Sequence, residues 1–399
     1  MMDESCPFER GQNGVGKGAR DPLSERLIAI VLPDLRGGGA ERVGINLANE
    51  FAAQGHRVDL VLLRAVGELL PLLDSRVCIV DLGVVRLRGL FVPLLRYLRK
   101  VRPSALLASM WPITVISAAA CRLSGYGPRL VVVEHTDWSS SRERGGPARR
   151  IAMKCTMALG FRLANGVVAV SDGASDVLAR VGWYPRNRIT TIHNPIVGGA
   201  ESRQVSGVGV APCWSTGDHH RILAVGSLKA VKDYPTLLRA FRILLRSTDA
   251  KLLILGEGEE RQPLQRLVAE LGLGDDVTMP GFTVTTETFY KAADLHVLSS
   301  TAEGFGNVLV EAMAQGTPVV STDCPSGPRE ILMDGRYGPL VPVGDAERLA
   351  EAMLGSLSYP QDRAALQARA KHFSVERAAE AYLSLLLPDA CGKNPEVSI

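Results

Sequence analysis

The sequence predicts an α/β fold of two parallel-sheet domains, and three observations predict it. At 399 residues the chain is too long for one ordinary hydrophobic core. Short apolar runs alternate with longer amphipathic ones, the pattern of parallel strands each covered by a helix. That alternation breaks once, at the Gly- and Ser-rich stretch GGAESRQVSGVGVAPCWSTGD (198–218), and then restarts. A composition of 46% hydrophobic and 22% charged residues is that of a globular chain.

In the first series, strands are expected at Leu27–Leu32, Arg57–Leu63, Val77–Val80, Ala105–Ser109, Leu130–Glu134, Val167–Val170 and Thr190–Ile192. The second series is Arg221–Val225, Lys251–Leu255, Val277–Met279, Leu295–Leu298 and Pro318–Ser321. Phe373–Leu387 reads as one amphipathic helix with Val375, Ala378, Tyr382 and Leu386 on its apolar face. The organisation expected is a polar tail at 1–24, a Rossmann-like domain at 25–195, a second at 196–372, a helix at 373–390 packing back on the first domain, and a tail at 391–399. Ligands of parallel sheets bind beyond the carboxyl ends of the strands, so chemistry is sought in the loops that follow them.

Charge is uneven. Residues 1–200 hold 26 Lys/Arg against 17 Asp/Glu, and the remainder 19 against 25, which leaves the whole chain at +3. A basic first half suits an anionic partner such as nucleic acid, a membrane or a phosphorylated substrate. Seven scattered cysteines without a CxxC pair argue against a disulfide framework or a zinc site, and point to a reducing compartment. The tail shows no apolar signal-peptide core. Its GQNGVGKG (11–18) is a near miss for a phosphate loop, because Gly18 stands where a Mg²⁺-binding hydroxyl is needed and no buried strand precedes it. The uncharged run 103–121 is long enough to span a bilayer, yet Pro112 divides it, and a buried strand-and-helix unit fits better.

Several loops carry chemistry-bearing residues. LIAIVLPDL runs into Gly37, Gly38 and Gly39, which allow either close approach of a phosphate to a helix N-terminus or simply a flexible turn. His135 follows a buried strand at its carboxyl edge, placed for function or for structure. Lys229 and Lys232 follow the first strand of the second series, where they meet a phosphate or solvent. GEGEE places Glu257 as a helix-capping candidate. In STAEGFGNVLVEAMAQG, Glu303 precedes a turn containing Gly304 and Gly306, and Glu311 lies within an otherwise apolar helix. Glycine-exposed N–H groups at a helix start suit a phosphate, while two carboxylates suit hydroxyls, as on a ribose and a sugar ring.

Taken together, GGGAERV, the EH at 134–135, AVGSL…KDYPTLLRAF, the E-x7-E pair Glu303 and Glu311, and DCPSGPREIL (323–332) resemble a retaining GT-B glycosyltransferase of family 4, the type that assembles bacterial polysaccharides. The resemblance covers about residues 25–390. It implies two Rossmann-like domains facing a central cleft, and transfer of a hexose or N-acetylhexosamine from a nucleotide-sugar, with UDP-sugars favoured, to a glycan or lipid-linked saccharide. It implies that Glu303, His135 and Lys232 are catalytic, that Glu311 binds the ribose, and that Glu303 with Gly304, Phe305, Gly306, Asn307 and Val308 binds the donor sugar and diphosphate. Gly38 and Gly39 would close on the phosphates, Gly226 and Ser227 would sit beside Lys232, and the backbone at Gly281 and Phe282 would meet the base. Family members often carry Arg where Ser227 stands, so either Lys229 substitutes or Lys232 alone meets the diphosphate. No cofactor or metal is expected, and no double-displacement nucleophile presents itself other than Asp137. Segments 86–103 and 141–162 mix cationic and apolar residues at helical spacing, so they suit either ordinary surface helices or an anionic membrane. The expected location is cytoplasmic, at the inner face of the plasma membrane, with no nucleic-acid partner. A UDP-sugar 2-epimerase of the same fold and a non-catalytic nucleotide-sugar-binding protein are the alternative readings.

Overall fold

The computed structural model describes residues 26–135, 146–198 and 219–388. Within them the chain forms two wholly parallel sheets. Strands β1 (Leu27–Leu32), β2 (Arg57–Leu62), β3 (Cys78–Asp81), β4 (Ala105–Ser109), β5 (Arg129–Glu134), β6 (Gly166–Ala169) and β7 (Ile189–Thr191) make the first, in the order β3-β2-β1-β4-β5-β6-β7. Strands β8 (His220–Val225), β9 (Ala250–Leu255), β10 (Val277–Gly281), β11 (Leu295–Leu298), β12 (Val319–Thr322) and β13 (Leu340–Val341) make the second, ordered β10-β9-β8-β11-β12-β13. Each is the doubly wound order in which the first strand is central and the direction of winding reverses beside it. A crevice therefore opens between β1 and β4 in one sheet and between β8 and β11 in the other.

The central strands are continuous apolar runs because both faces are covered by helices. Leu27–Leu32 is buried along its whole length, as is Leu295–Leu298. The expected strand centres hold, with shifts of one or two residues at many of the edges. The third strand starts at Cys78 and ends at Asp81, one residue later than the apolar run suggests, because it is an edge strand with Cys78 and Ile79 exposed. Strands β6 and β7 each start one residue earlier than their apolar runs. β13 was not anticipated, since two residues carry no periodicity. The C-terminal helix starts at Val375, because Ser374 caps it through the Arg377 amide and Phe373 belongs to the preceding 3-10 turn. This helix, Val375–Leu386, packs against the helix Gly39–Ala53 and strands β4 and β5 of the first sheet. Val197 and Ser374 form a parallel bridge where the chain returns.

The uncharged run 103–121 is β4 followed by the helix Ile113–Leu123, and no described helix is long and apolar enough to cross a membrane. The near-miss phosphate loop, the Gly/Ser stretch beyond Gly198, Asp137, residues 141–145 and the tail from 391 lie outside the described residues.

Candidate functional site

The loops leaving β1, β6 and β7 meet those leaving β8, β10, β11 and β12. After β1, Gly37 has φ +87°, and a Cβ there would lie 2.7 Å from the Phe282 ring in the loop after β10. A Cβ on Gly39 would lie 3.1 Å from Asn307 Nδ2. The glycine turn thus rests directly on the start of the helix Asn307–Ala314. Gly306 caps that helix in the left-handed region (φ +104°), with no side chain bonded to its first amides. Those amides and the helix dipole face the glycine turn, a disposition suited to an anion.

Further bonds join the two halves here. Arg42 donates to the Val284 carbonyl at 3.1 Å, Ser171 Oγ donates to Gly304 O at 2.9 Å, and Asn194 Nδ2 donates to Asn307 Oδ1 at 2.8 Å. Glu330, from DCPSGPREIL, accepts from the Asp172 amide at the start of the helix Asp172–Val181 and pairs with His193 Nε2 at 2.5 Å. The His193 ring stacks on Phe305, and both rings pack edge-on against Phe373. The Phe305 side chain is thus buried between His193 and Phe373, which leaves its backbone for any ligand. Val308 is likewise packed against the core.

The predicted catalytic residues are placed as follows. Lys232 ends the 3-10 turn Ala230–Lys232 after β8, where Asp233 then caps the helix Tyr234–Leu244. Its Nζ reaches Glu303 Oε1 at 2.5 Å, and Ser300 Oγ donates to the same oxygen at 2.7 Å. Both charged side chains are more than four-fifths buried. Gly226 lies beside the Lys232 stem, and its carbonyl accepts from the Tyr234 hydroxyl at 3.0 Å. Ser227 is half-buried next to it. Lys229 is exposed and faces the glycine turn of the other half, where its charge partly offsets the burial and the Asp34 charge that raise the Glu41 carboxyl. Glu41 folds back so closely over Gly38 that a Cβ there would lie 1.9 Å from its Oε2.

His135 follows β5 directly. Burial pushes its imidazole down to about 4 against the opposing pull of Asn194, so the ring is neutral. Its Nδ1 is buried without a hydrogen-bond partner among the described residues. Glu134, before it, is buried and accepts from Trp111 N and Thr114 Oγ1. Glu257 does not cap a helix. Its carboxylate pairs with Arg261 at 2.8 Å, and Gly281 packs against it.

Glu311 is the fifth residue of its helix and stands apart from Glu303. Its Oε2 accepts from the Tyr290 hydroxyl at 2.9 Å. It lines a cavity of about 300 Å³ between the halves, together with Arg42, Asn46, Val284, Thr286 and Gln315. The two carboxylates thus have separate partners, one a cation and a serine, the other a phenol. Ser300, Asn194, Tyr290, Arg42 and Glu330 are participants that sequence reasoning missed. Asn194 and Ser300 had an available signal, since each is polar and lies within three residues of a strand's carboxyl end.

Two family models match the chain, Glycosyltransferase Family 4 over residues 37–197 and Glycosyl transferases group 1 over residues 215–373. The chain belongs to the family 4-type GT-B glycosyltransferases. The lipopolysaccharide core biosynthesis glycosyltransferase LpsE of Rhizobium meliloti is 33% identical over 231 residues, 57% of this chain and 65% of that protein. The N-acetylgalactosamine-N,N'-diacetylbacillosaminyl-diphospho-undecaprenol 4-alpha-N-acetylgalactosaminyltransferase of Campylobacter jejuni is 35% identical over 170 residues, 42% of this chain and 46% of that protein. The chain thus spans less than two thirds of the length of either relative. Among solved structures, Anabaena HepE in complex with UDP and glucose superposes with a TM-score of 0.72 at 20% identity, covering 91% of this chain and 99% of that one. The lipopolysaccharide outer core galactosyltransferase WaaB does so at 0.65 and 18%, with the same coverage. These likenesses fix the fold as GT-B.

Proposed function

We propose that the protein transfers a hexose or N-acetylhexosamine from a nucleotide-sugar, a UDP-sugar first, to a saccharide or lipid-linked acceptor during assembly of a cell-surface polysaccharide. The observation that carries this reading is the cluster of Lys232, Ser300 and Glu303 beside a helix N-terminus that has no side-chain cap and faces the Gly37–Gly39 turn. The relatives named above act in lipopolysaccharide core biosynthesis or on a diphospho-undecaprenol saccharide, and one structural neighbour holds UDP and glucose, which supports the donor and acceptor classes.

In this reading the diphosphate lies between the glycine turn and the amides at Asn307 and Val308. Lys232 meets the charge that develops on the leaving phosphate, a preorganised electrostatic contribution worth about 3 kcal/mol for a single donor in a dry site. Lys229, at the rim, adds a second positive charge where Ser227 supplies none. Glu303 keeps Oε1 on Lys232 and offers Oε2 to hydroxyls of the donor sugar. Glu311 takes the ribose hydroxyls, and the loop at Gly281 and Phe282 borders the base. His135, neutral and with Nδ1 unpartnered among the described residues, offers the sugar a hydrogen bond without adding charge. Transfer proceeds with retention and without a metal: the acceptor hydroxyl attacks from the leaving-group face and the departing phosphate takes its proton.

The first half is proposed to meet an anionic membrane from which a lipid-linked acceptor is received. Val85, Leu87 and Val92 are exposed beside Arg86 and Arg88, and Ile151, Leu159 and Leu163 are exposed on a helix carrying Arg149 and Arg150. Flotation with anionic liposomes tests this, and absence of binding refutes it.

A panel of UDP- and GDP-sugars, scored with and without saccharide acceptors, tests the main reading. Acceptor-dependent nucleotide release supports transfer, whereas epimer formation or binding without release refutes it.

A further inference from the structure

We infer that Tyr290 is a positioning residue for Glu311, its phenol fixing Oε2 so that Oε1 is turned toward the cavity between the two halves. The inference rests on the proposed role of Glu311 as ribose acceptor and deepens it.

Tyr290 lies in the short helix Glu287–Ala292 and is 1% exposed. It is held on three sides. The His296 ring meets it edge-on at 5.4 Å, Thr317 Oγ1 donates to its carbonyl at 2.7 Å, and its amide bonds to the Thr286 carbonyl. A tyrosine so fixed is a rigid donor, with two side-chain torsions and both locked by packing. Burial, reinforced by the neighbouring Glu311 charge, pushes its phenol far above the usual range, so the hydroxyl keeps its proton at any working pH.

Glu311, by contrast, has three torsions and stands on a helix whose neighbours Val310, Ala312 and Met313 are buried. Left alone, its carboxylate would sample several rotamers and would have to be ordered by each incoming ligand. The bond from Tyr290 at 2.9 Å occupies Oε2, and Oε1 makes no hydrogen bond among the described residues. Glu311 lines the 300 Å³ cavity shared with Arg42, Asn46 and Gln315. An ionised carboxylate oxygen has about two acceptor sites, so Oε1 can take hydrogen bonds from a pair of vicinal hydroxyls while Oε2 stays on the phenol. Packing alone does not account for the hydroxyl, because a phenylalanine would fill the same space.

The test uses the full chain and calorimetric titration with UDP and with its 2′,3′-dideoxy analogue, alongside the GDP pair. The unchanged protein is expected to prefer the ribonucleotide by about 10- to 100-fold, the range of a hydrogen bond to a charged group. Tyr290→Phe should bring that preference below about 3-fold, by weakening the ribonucleotide and leaving the dideoxy analogue unchanged. A purely structural role would weaken both nucleotides together. Tyr290→Leu, which removes the phenol while leaving Glu311 intact, should give the same collapse and serves if Tyr290→Phe does not fold. Retention of the preference in either folded variant overturns the inference. Absence of any preference in the unchanged protein overturns instead the assignment of Glu311 to the ribose.

Discussion

The pair Lys232–Glu303 allows the roles of fold and chemistry to be separated. Two unit charges 2.5 Å apart attract by about 6 to 7 kcal/mol at an effective dielectric of 20. Desolvating two side chains that are only 18% and 12% exposed takes back most of that, leaving a net coupling of about 1–3 kcal/mol. Lys232→Met keeps the aliphatic stem and leaves Glu303 with Ser300 alone, so it should lower stability by about 2 kcal/mol. Glu303→Gln keeps the shape and leaves Lys232 unpaired, with a similar loss. The double variant should cost less than the sum of the two, because no buried charge remains unpaired. Activity should follow a different rule: all three variants lose about 10²–10³-fold in turnover, with no recovery in the double, since both groups are needed at the transition state. Urea denaturation of the four proteins measures the coupling, and nucleotide release from the active UDP-sugar measures turnover. A coupling below about 0.3 kcal/mol, or a double variant as active as the unchanged protein, refutes the argument.

Three further outcomes are expected. Glu330→Gln should weaken the contact that joins Asp172 N and His193, lowering stability by about 1–2 kcal/mol in chemical denaturation, and an unchanged midpoint contradicts that reading. Gly327→Ala should destabilise by about 3 kcal/mol, read as a fall in melting temperature, because φ is +81° and a Cβ would sit 1.7 Å from the Phe305 carbonyl oxygen. His296, wholly buried with no well-formed hydrogen bond to either ring nitrogen among the described residues, has its imidazole pushed down to about 3, first by burial, with the Lys232 charge adding to it and the Leu223 backbone opposing it. The unfolded chain takes up that proton near pH 6.5 and the folded one does not, so this group's contribution to stability is complete above about pH 6.5 and lost as pH falls toward 3. Denaturation at pH 7.5 and pH 5 should therefore show a smaller acid loss in His296→Leu than in the unchanged chain, and an equal loss contradicts the assignment.

Much of this fold was legible because parallel strands buried on both faces are written as apolar runs. Leu27–Leu32, Ala105–Ser109 and Leu295–Leu298 coincide with the runs that predict them. Where the signal is not an apolar run, the reading fails: β13 is two residues long, and the start of β3 is exposed. The candidate site was legible where chemistry sits next to glycine in sequence, as at Gly37–Gly39 and Glu303–Asn307. The partners were not. Ser300 is three residues from Glu303, but Tyr290 is 21 from Glu311, and Glu330 is 158 from Asp172. Such pairings depend on which strands become neighbours, and a single sequence gives the strands without their order. Glu257 shows the reverse error, since a carboxylate before a helix looks like a cap until Arg261 claims it.

The strand order carries one more consequence. Both sheets wind outward from their first strand, so each presents its crevice beside that strand, and the bonds between halves cluster in the loops leaving the carboxyl ends. Asn307 is the clearest case: its Oδ1 accepts from Asn194, its Nδ2 lies against Gly39, and its backbone opens the helix that faces the glycine turn. A diphosphate entering there would touch the same turn and the same helix start. The elements that hold the halves together are thus the elements that would hold the donor, and a ligand bridging them adds to contacts already in register. Affinity and the relative placement of the halves should then respond together to any change at Asn307, whereas changes on the far face of either sheet should move neither.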